Sequence, residues 1–284
     1  MQFVRRFGVG VSVTILFLLC TYVWSEVIKT EQPQNLRVAF LDVGQGDAIF
    51  IESPTGTQIL VDGGPDSSLL RELTGVMNPF DRSLDAIIVT NPDQDHFAGF
   101  IELLERYGVE KEFEPGTKKA TLTYKAFESA LVKNNVERFL AKRGMVFDLG
   151  GGAYLTVLYP DRDVSGSNPN DGSVVMKLVY GKTSVLLMGD STSLVESRVL
   201  SLDGNFNADI LKLGHHGSKT SSSEKWIEAT SPSQAIVSAS CDNSYGHPSK
   251  VVIDRLLAHA VSYLWTCKEG TISFSSDGKV WQRK

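Results

Sequence analysis

At 284 residues the chain is near the upper size for one hydrophobic core, and 42% hydrophobic with 21% charged residues excludes a disordered or fibrous protein. Arg5 and Arg6 account for +2 of a net charge of −5, so the remainder carries −7. That balance excludes a broad cationic face for nucleic acid and leaves only local patches such as Lys118-Lys119 and Lys142-Arg143.

Residues 7–24 carry no charge and follow Arg5-Arg6. As a helix they would reach roughly 27 Å, close to the thickness of a bilayer core. The arginines predict a cytoplasmic N-terminus, and Tyr22 and Trp24 would lie at the far interface. No small-residue cleavage site follows, so residues 1–25 read as a single-pass anchor, with a cleaved signal segment as the alternative. Residues 26–35, which include Pro33, read as a linker, and residues 36–284 as one extracytoplasmic domain. Cys241 and Cys267 are then either a disulfide or two buried thiols.

Strands are predicted at Leu36–Phe40, Ala48–Ile51 and Gln58–Val61, a helix at Ser67–Val76, and an apolar strand at Ala86–Val89. Phe100, Leu103, Leu104 and Tyr107 have helical spacing, which predicts a helix over Ala98–Tyr107, and a longer amphipathic helix follows at Tyr124–Arg143. In the second half, strands are predicted at Leu155–Leu158, Ser173–Val179, Ser184–Met188, Ile210–Leu213, Ala235–Ser238, Val261–Thr266 and Thr271–Phe274, with a helix at Lys250–Ala260. Strands and helices alternate in two halves, which makes this an α/β protein with its polar turns just beyond strand ends.

Four of the five histidines lie in those turns. Asn91-Pro92-Asp93-Gln94-Asp95-His96 follows the Ala86–Val89 strand, and Gly189-Asp190 follows Ser184–Met188. His215-His216-Gly217-Ser218 follows Ile210–Leu213, and Asn243-Ser244-Tyr245-Gly246-His247-Pro248 precedes a helix. Imidazole and carboxylate are the ligands of zinc, manganese and iron. Asp95, His96, Asp190 and one of His215 or His216 are therefore candidate metal ligands. Asp47 and Asp62 suit a role in orienting ligand histidines. Ser218 and its neighbouring hydroxyls suit a phosphate, and His247 suits a further ligand or a general acid. His259 reads as an ordinary helix-end histidine.

Taken in order, Leu41-Asp42-Val43-Gly44-Gln45-Gly46-Asp47, Val61-Asp62-Gly63-Gly64, Asp93-Gln94-Asp95-His96, Asn170-Asp171-Gly172-Ser173, Met188-Gly189-Asp190, Gly214-His215-His216-Gly217-Ser218 and Asn243 to Pro248 resemble the metallo-β-lactamase superfamily. Within it, the chain looks like the hydrolase domain of ComEC-type competence proteins. The resemblance implies a four-layer αβ/βα sandwich, a site at the edge between two sheets, and metal-assisted attack of water on an ester, often a phosphodiester, including a DNA strand during uptake. It departs at two places. Asn91 stands where the family's first turn histidine is expected, and no histidine accompanies Asn170. One subsite would then hold Asn91, Asp93 and a shared Asp190, a set suited to manganese or magnesium more than zinc.

These readings predict a membrane-anchored hydrolase of phosphoesters using one or two Zn or Mn ions, with Asp93 or Asp95 accepting the water proton and His247 acting on developing charge. The alternatives are a non-catalytic binding module, for which Asn91 argues, and an esterase of a cell-wall or lipid head-group substrate.

Overall fold

The computed structural model describes residues 13–24 and 34–284. Two β-sheets face each other. The first contains β1 (Leu36–Phe40), β2 (Ala48–Glu52), β3 (Gln58–Gly63), β4 (Ser83–Ile88), β5 (Gly108–Glu114), β6 (Glu137–Leu140), β14 (Ile272–Ser276) and β15 (Trp281–Arg283), in the order β15-β14-β1-β2-β3-β4-β5-β6. The second runs β13-β12-β11-β10-β9-β8-β7, built from β7 (Val146–Gly150), β8 (Ala153–Tyr159), β9 (Val175–Tyr180), β10 (Thr183–Leu187), β11 (Ile210–Lys212), β12 (Gln234–Val237) and β13 (Ser262–Trp265).

The two-residue period of a strand sorts side chains between faces. Val38, Phe40, Ile59, Val61, Ala86 and Ile88 of the first sheet meet Val185, Leu187, Ile210 and Ile236 of the second in a central core. The intervening Ala39, Leu60 and Ile87 face outward, beneath α2 (Ser68–Thr74), α4 (Gly99–Leu103) and α5 (Leu122–Lys133). On the other outer face Leu186, Leu211, Ala235 and Val237 pack under α6 (Ser193–Leu200), α7 (Glu224–Thr230) and α8 (Lys250–Ala258). Strands with apolar residues on both faces need cover on both, and the result is a helix–sheet–sheet–helix sandwich.

Several expectations change. The helix expected over Tyr124–Arg143 ends at Lys133. The chain turns through Asn135 (φ 55°) into β6, which pairs in parallel with β5. The helix expected over Ala98–Tyr107 is shorter, α4 ending at Leu103, and a separate short helix, α3 (Gln94–Phe97), precedes it. Cys241 and Cys267 form a disulfide that ties the loop after β12 to α9 (Thr266–Glu269). Residues 13–24 are helical (α1), while the start of the expected anchor lies outside the described residues. Among the described residues no helix is long and apolar enough to cross a membrane.

Candidate metal centre

The site collects where strands of the two sheets end side by side. From the first sheet come Asp47 ahead of β2, Asp62 in β3, and the turn after β4. From the second come Asp190 after β10, His215-His216 after β11 and Ser238 after β12. Close backbone approach makes this possible. The Asp47 N–H donates to the Asp95 carbonyl at 3.2 Å, and a side chain at position 46 would overlap that carbonyl. His215 and His216 are consecutive residues in the left-handed region (φ 48° and 54°), an uncommon conformation outside glycine that is retained where side-chain direction matters. The turn sends His216 into the interior and leaves His215 one quarter exposed.

The buried group is defined by short distances. His96 Nδ1 lies 2.9 Å from Asp62 Oδ2, and Asp62 also accepts from the Thr90 N–H (2.7 Å) and hydroxyl (2.6 Å). This locks the ring so that Nε2 points at Asp190 Oδ1, 3.2 Å away. His216 is held the same way. Its Nδ1 is 2.9 Å from the Ser238 carbonyl and 3.3 Å from Asp47 Oδ1. Its Nε2 stands 3.4 Å from Asp190 Oδ1 and 3.2 Å from Asp95 Oδ2. Asp47 is itself fixed by Lys212 Nζ at 2.7 Å in a fully buried ion pair, and Lys212 also donates to the Leu213 carbonyl.

His96 Nε2, His216 Nε2 and Asp190 Oδ1 are buried and without hydrogen-bond partners, at a cost natural proteins rarely accept. Ligand atoms of Asp95, His96 and His216 all lie within 4.8 Å of one another, as do those of Asp47, Asp190 and His216. Two imidazoles and two carboxylates directed at one point are the donor set of a divalent cation, each imidazole backed by a carboxylate on its far nitrogen. The electrostatics agree. Burial would strip the proton from His216, yet Asp190 and Asp47 outweigh it and push the imidazole up to about 10. His96 is raised in the same way, against burial, by Asp190 and Asp62. Burial would likewise raise Asp47, but Lys212 and His216 hold it at about 2. The acids thus stabilise positive charge at their centre, whether carried by protons or by a cation.

The second expected subsite is differently employed. Asn91 is fully buried, but its Nδ2 donates to Asn170 Oδ1 (2.9 Å) and Ser173 Oγ (3.0 Å), and its Oδ1 accepts from the Asp93 N–H. Asp93 turns to Lys119, whose Nζ is 2.5 Å from Oδ1. Neither joins the buried group. Asn170 comes within 3.5 Å of His215 Nδ1, while His215 Nε2 is 3.8 Å from Asp190 Oδ2, so His215 is at the rim. Ser218, expected to meet a phosphate, instead pairs with the Thr220 hydroxyl at 3.0 Å, and Asn243 is spent on the Ser240 and His247 carbonyls. His259 caps α8 and pairs with Glu224, as an ordinary helix-end residue would.

A cavity of about 550 Å³ opens over the buried group, lined by Gln45, Asp93, Asp95, Asp190, His215, His216, Tyr245 and His247 among others. Burial, with His215 and His216 beside it, lowers the His247 imidazole to about 4. The lowered value favours the neutral imidazole, which can donate a hydrogen bond into the cavity. Reading the chain alone misses Lys212, Thr90, Ser238 and Lys119. Lys212, a charge inside an otherwise apolar strand, is the one with a visible signal.

The family model described as the metallo-beta-lactamase superfamily matches residues 41–240. The chain is 30% identical over 293 aligned positions to ComE operon protein 3 of Bacillus subtilis, covering 95% of this chain and 36% of that protein. It is 28% identical to Competence protein ComA of Neisseria gonorrhoeae (85% and 33% covered) and 30% identical to Recombination protein 2 of Haemophilus influenzae (85% and 29%). The chain thus spans about a third of the length of these relatives. The fold is similar to those of the metallo-beta-lactamase fold protein YhfI of Bacillus subtilis (TM-score 0.56, 14% identity, 85% of this chain and all of that one) and Igni18, a metallo hydrolase of Ignicoccus hospitalis (TM-score 0.52, 13% identity, 84% and 98%).

Proposed function

The chain belongs to the metallo-beta-lactamase superfamily, and on that premise we propose that it is a metal-dependent hydrolase of phosphoesters, with a phosphodiester strand as its substrate. The observation that carries this is the convergence of His96 Nε2, His216 Nε2 and Asp190 Oδ1, buried and unpartnered, beneath an open polar cavity. Asp95, His96, Asp190 and His216 would hold a divalent ion, zinc or manganese. When bound, such an ion activates water near neutral pH and polarises a phosphoryl oxygen. Asp93, positioned at the cavity wall by Lys119, accepts the water's proton. His215 and neutral His247, both on that wall, donate hydrogen bonds to the charge that develops on phosphate oxygens. The competence and recombination names of the relatives support a nucleic-acid strand over a small ester. The amide network of Asn91, Asn170 and Ser173 supports one ion over two, because it satisfies those groups with each other.

Residues 7–24 are proposed as a single-pass anchor that places residues 36–284 outside the cytoplasm. The Cys241–Cys267 disulfide supports that side, because oxidising compartments preserve such bonds. Cleavage of DNA, bis-phosphodiester reporters and phosphocholine esters with Mn²⁺ or Zn²⁺ tests the activity. Turnover of the diesters is expected, and no turnover of any of them contradicts it. Asn91 favours a second reading, a non-catalytic binding module, in which metal binds weakly or not at all and Asp190→Ala changes stability little.

A further inference from the structure

The rings around the centre form a series running outward. His96 and His216 have centroids 5.4 Å apart at 32°, His216 and His247 are 6.4 Å apart at 31°, and His247 and Tyr245 are 5.8 Å apart, stacked at 24°. The series begins in fully buried residues and ends in Tyr245, which lines the cavity yet is 70% exposed. Single exposed aromatics are common and usually mean nothing. This one differs because its turn is held by a disulfide and by side-chain hydrogen bonds. The Cys241–Cys267 disulfide holds the start, and Trp265 Nε1 donates to the Ala239 carbonyl at 2.8 Å. Asn243 Nδ2 donates to the Ser240 and His247 carbonyls (2.7 and 2.6 Å), while its Oδ1 accepts from the His247 N–H at 2.9 Å. The ring is thus backed on one face by His247 and largely open to solvent, at the mouth of the site. An aromatic ordered in advance gives up little entropy when a flat group lands on it.

We propose that Tyr245 is a stacking platform for a base of the substrate strand next to the phosphate being cleaved, which makes it a specificity-determining residue for unpaired nucleic acid. The proposal rests on the phosphodiesterase reading above. Every base has a flat face, so a platform of this kind tolerates any sequence but requires a base that is free to unstack. Phosphoesters without a planar group gain nothing from it.

The test compares an oligothymidylate with a strand of equal length whose residues are abasic, so that phosphates and charge are the same. With Mn²⁺, wild type is expected to show a KM about tenfold lower for the thymidylate strand at similar kcat, a typical gain for one stacked base. In Tyr245→Ala the ratio of the two KM values falls to about one, and in Tyr245→Trp it is kept. A wild-type ratio of one, or a ratio that survives Tyr245→Ala, overturns the proposal while leaving phosphodiester cleavage intact. Cleavage of neither strand overturns both.

Discussion

His96 Nε2 stands 3.2 Å from Asp190 Oδ1 at the floor of the cavity, and neither atom has a hydrogen-bond partner. Asp190 Oδ1 also stands 3.4 Å from His216 Nε2, so this one carboxylate oxygen faces both buried imidazoles. Asp190→Ala is therefore expected to remove bound metal and to lower kcat/KM on a phosphodiester by about 10³-fold or more, the scale of several kcal/mol of lost charge stabilisation. Metal analysis and steady-state kinetics on the same preparation check it.

Asp62 acts through His96 rather than on the cation. It fixes the ring by accepting from Nδ1 at 2.9 Å. Asp62→Asn keeps the shape but weakens that hold, and metal affinity is expected to fall about 10- to 100-fold with little change in fold. Competition with a chelator of known affinity, alongside circular dichroism, measures both.

The Lys212–Asp47 pair has no access to solvent. Removing one partner strands the other charge, so Lys212→Met is expected to destabilise by about 3–5 kcal/mol, while the double change with Asp47→Asn recovers much of that loss. Denaturant unfolding of the three proteins decides it. Loss of stability in the single variant no larger than in the double would contradict the pairing.

A second buried cluster gives a dependence on pH. Glu112 is fully buried, and Arg138 must serve Glu112, Glu114 and Glu128 together, at 3.3, 3.3 and 3.5 Å. Burial, with Glu114 beside it, pushes Glu112 up to about 8 from 4.5. The folded form thus binds a proton that the unfolded chain releases between these values. Stability is expected to be unaffected by this group below pH 4.5, to fall as pH rises from there to 8, and to level off above, with a total of up to about 5 kcal/mol. Glu112→Gln should flatten the profile, which thermal melts across that range would show.

Much of the site was legible because its residues sit in polar turns immediately after apolar strands, where Asp95, His96, Asp190 and His216 break a hydrophobic run. Which of two adjacent histidines turned inward was not legible, since it depends on the left-handed backbone at both positions. Nor was the employment of Asn91 and Asp93, whose partners Asn170, Ser173 and Lys119 come from distant segments. In the fold, β5 carries little strand signal because Glu110, Lys111 and Glu112 interrupt its alternation, although tertiary packing buries Glu112 beside Arg138. The four residues of β6 likewise carry no hydrophobic period and take strand form by pairing with β5.

The central claim is that Asp95, His96, Asp190 and His216 grip one divalent cation. Metal content of the purified protein, measured in parallel for wild type, Asp190→Ala and Asn91→His, tests it most directly. The account predicts about one Mn or Zn per wild-type chain, almost none in Asp190→Ala, and a gain of up to one in Asn91→His. Wild-type protein that retains no divalent ion after equilibration with Mn²⁺ or Zn²⁺, or that keeps it undiminished in Asp190→Ala, would contradict it.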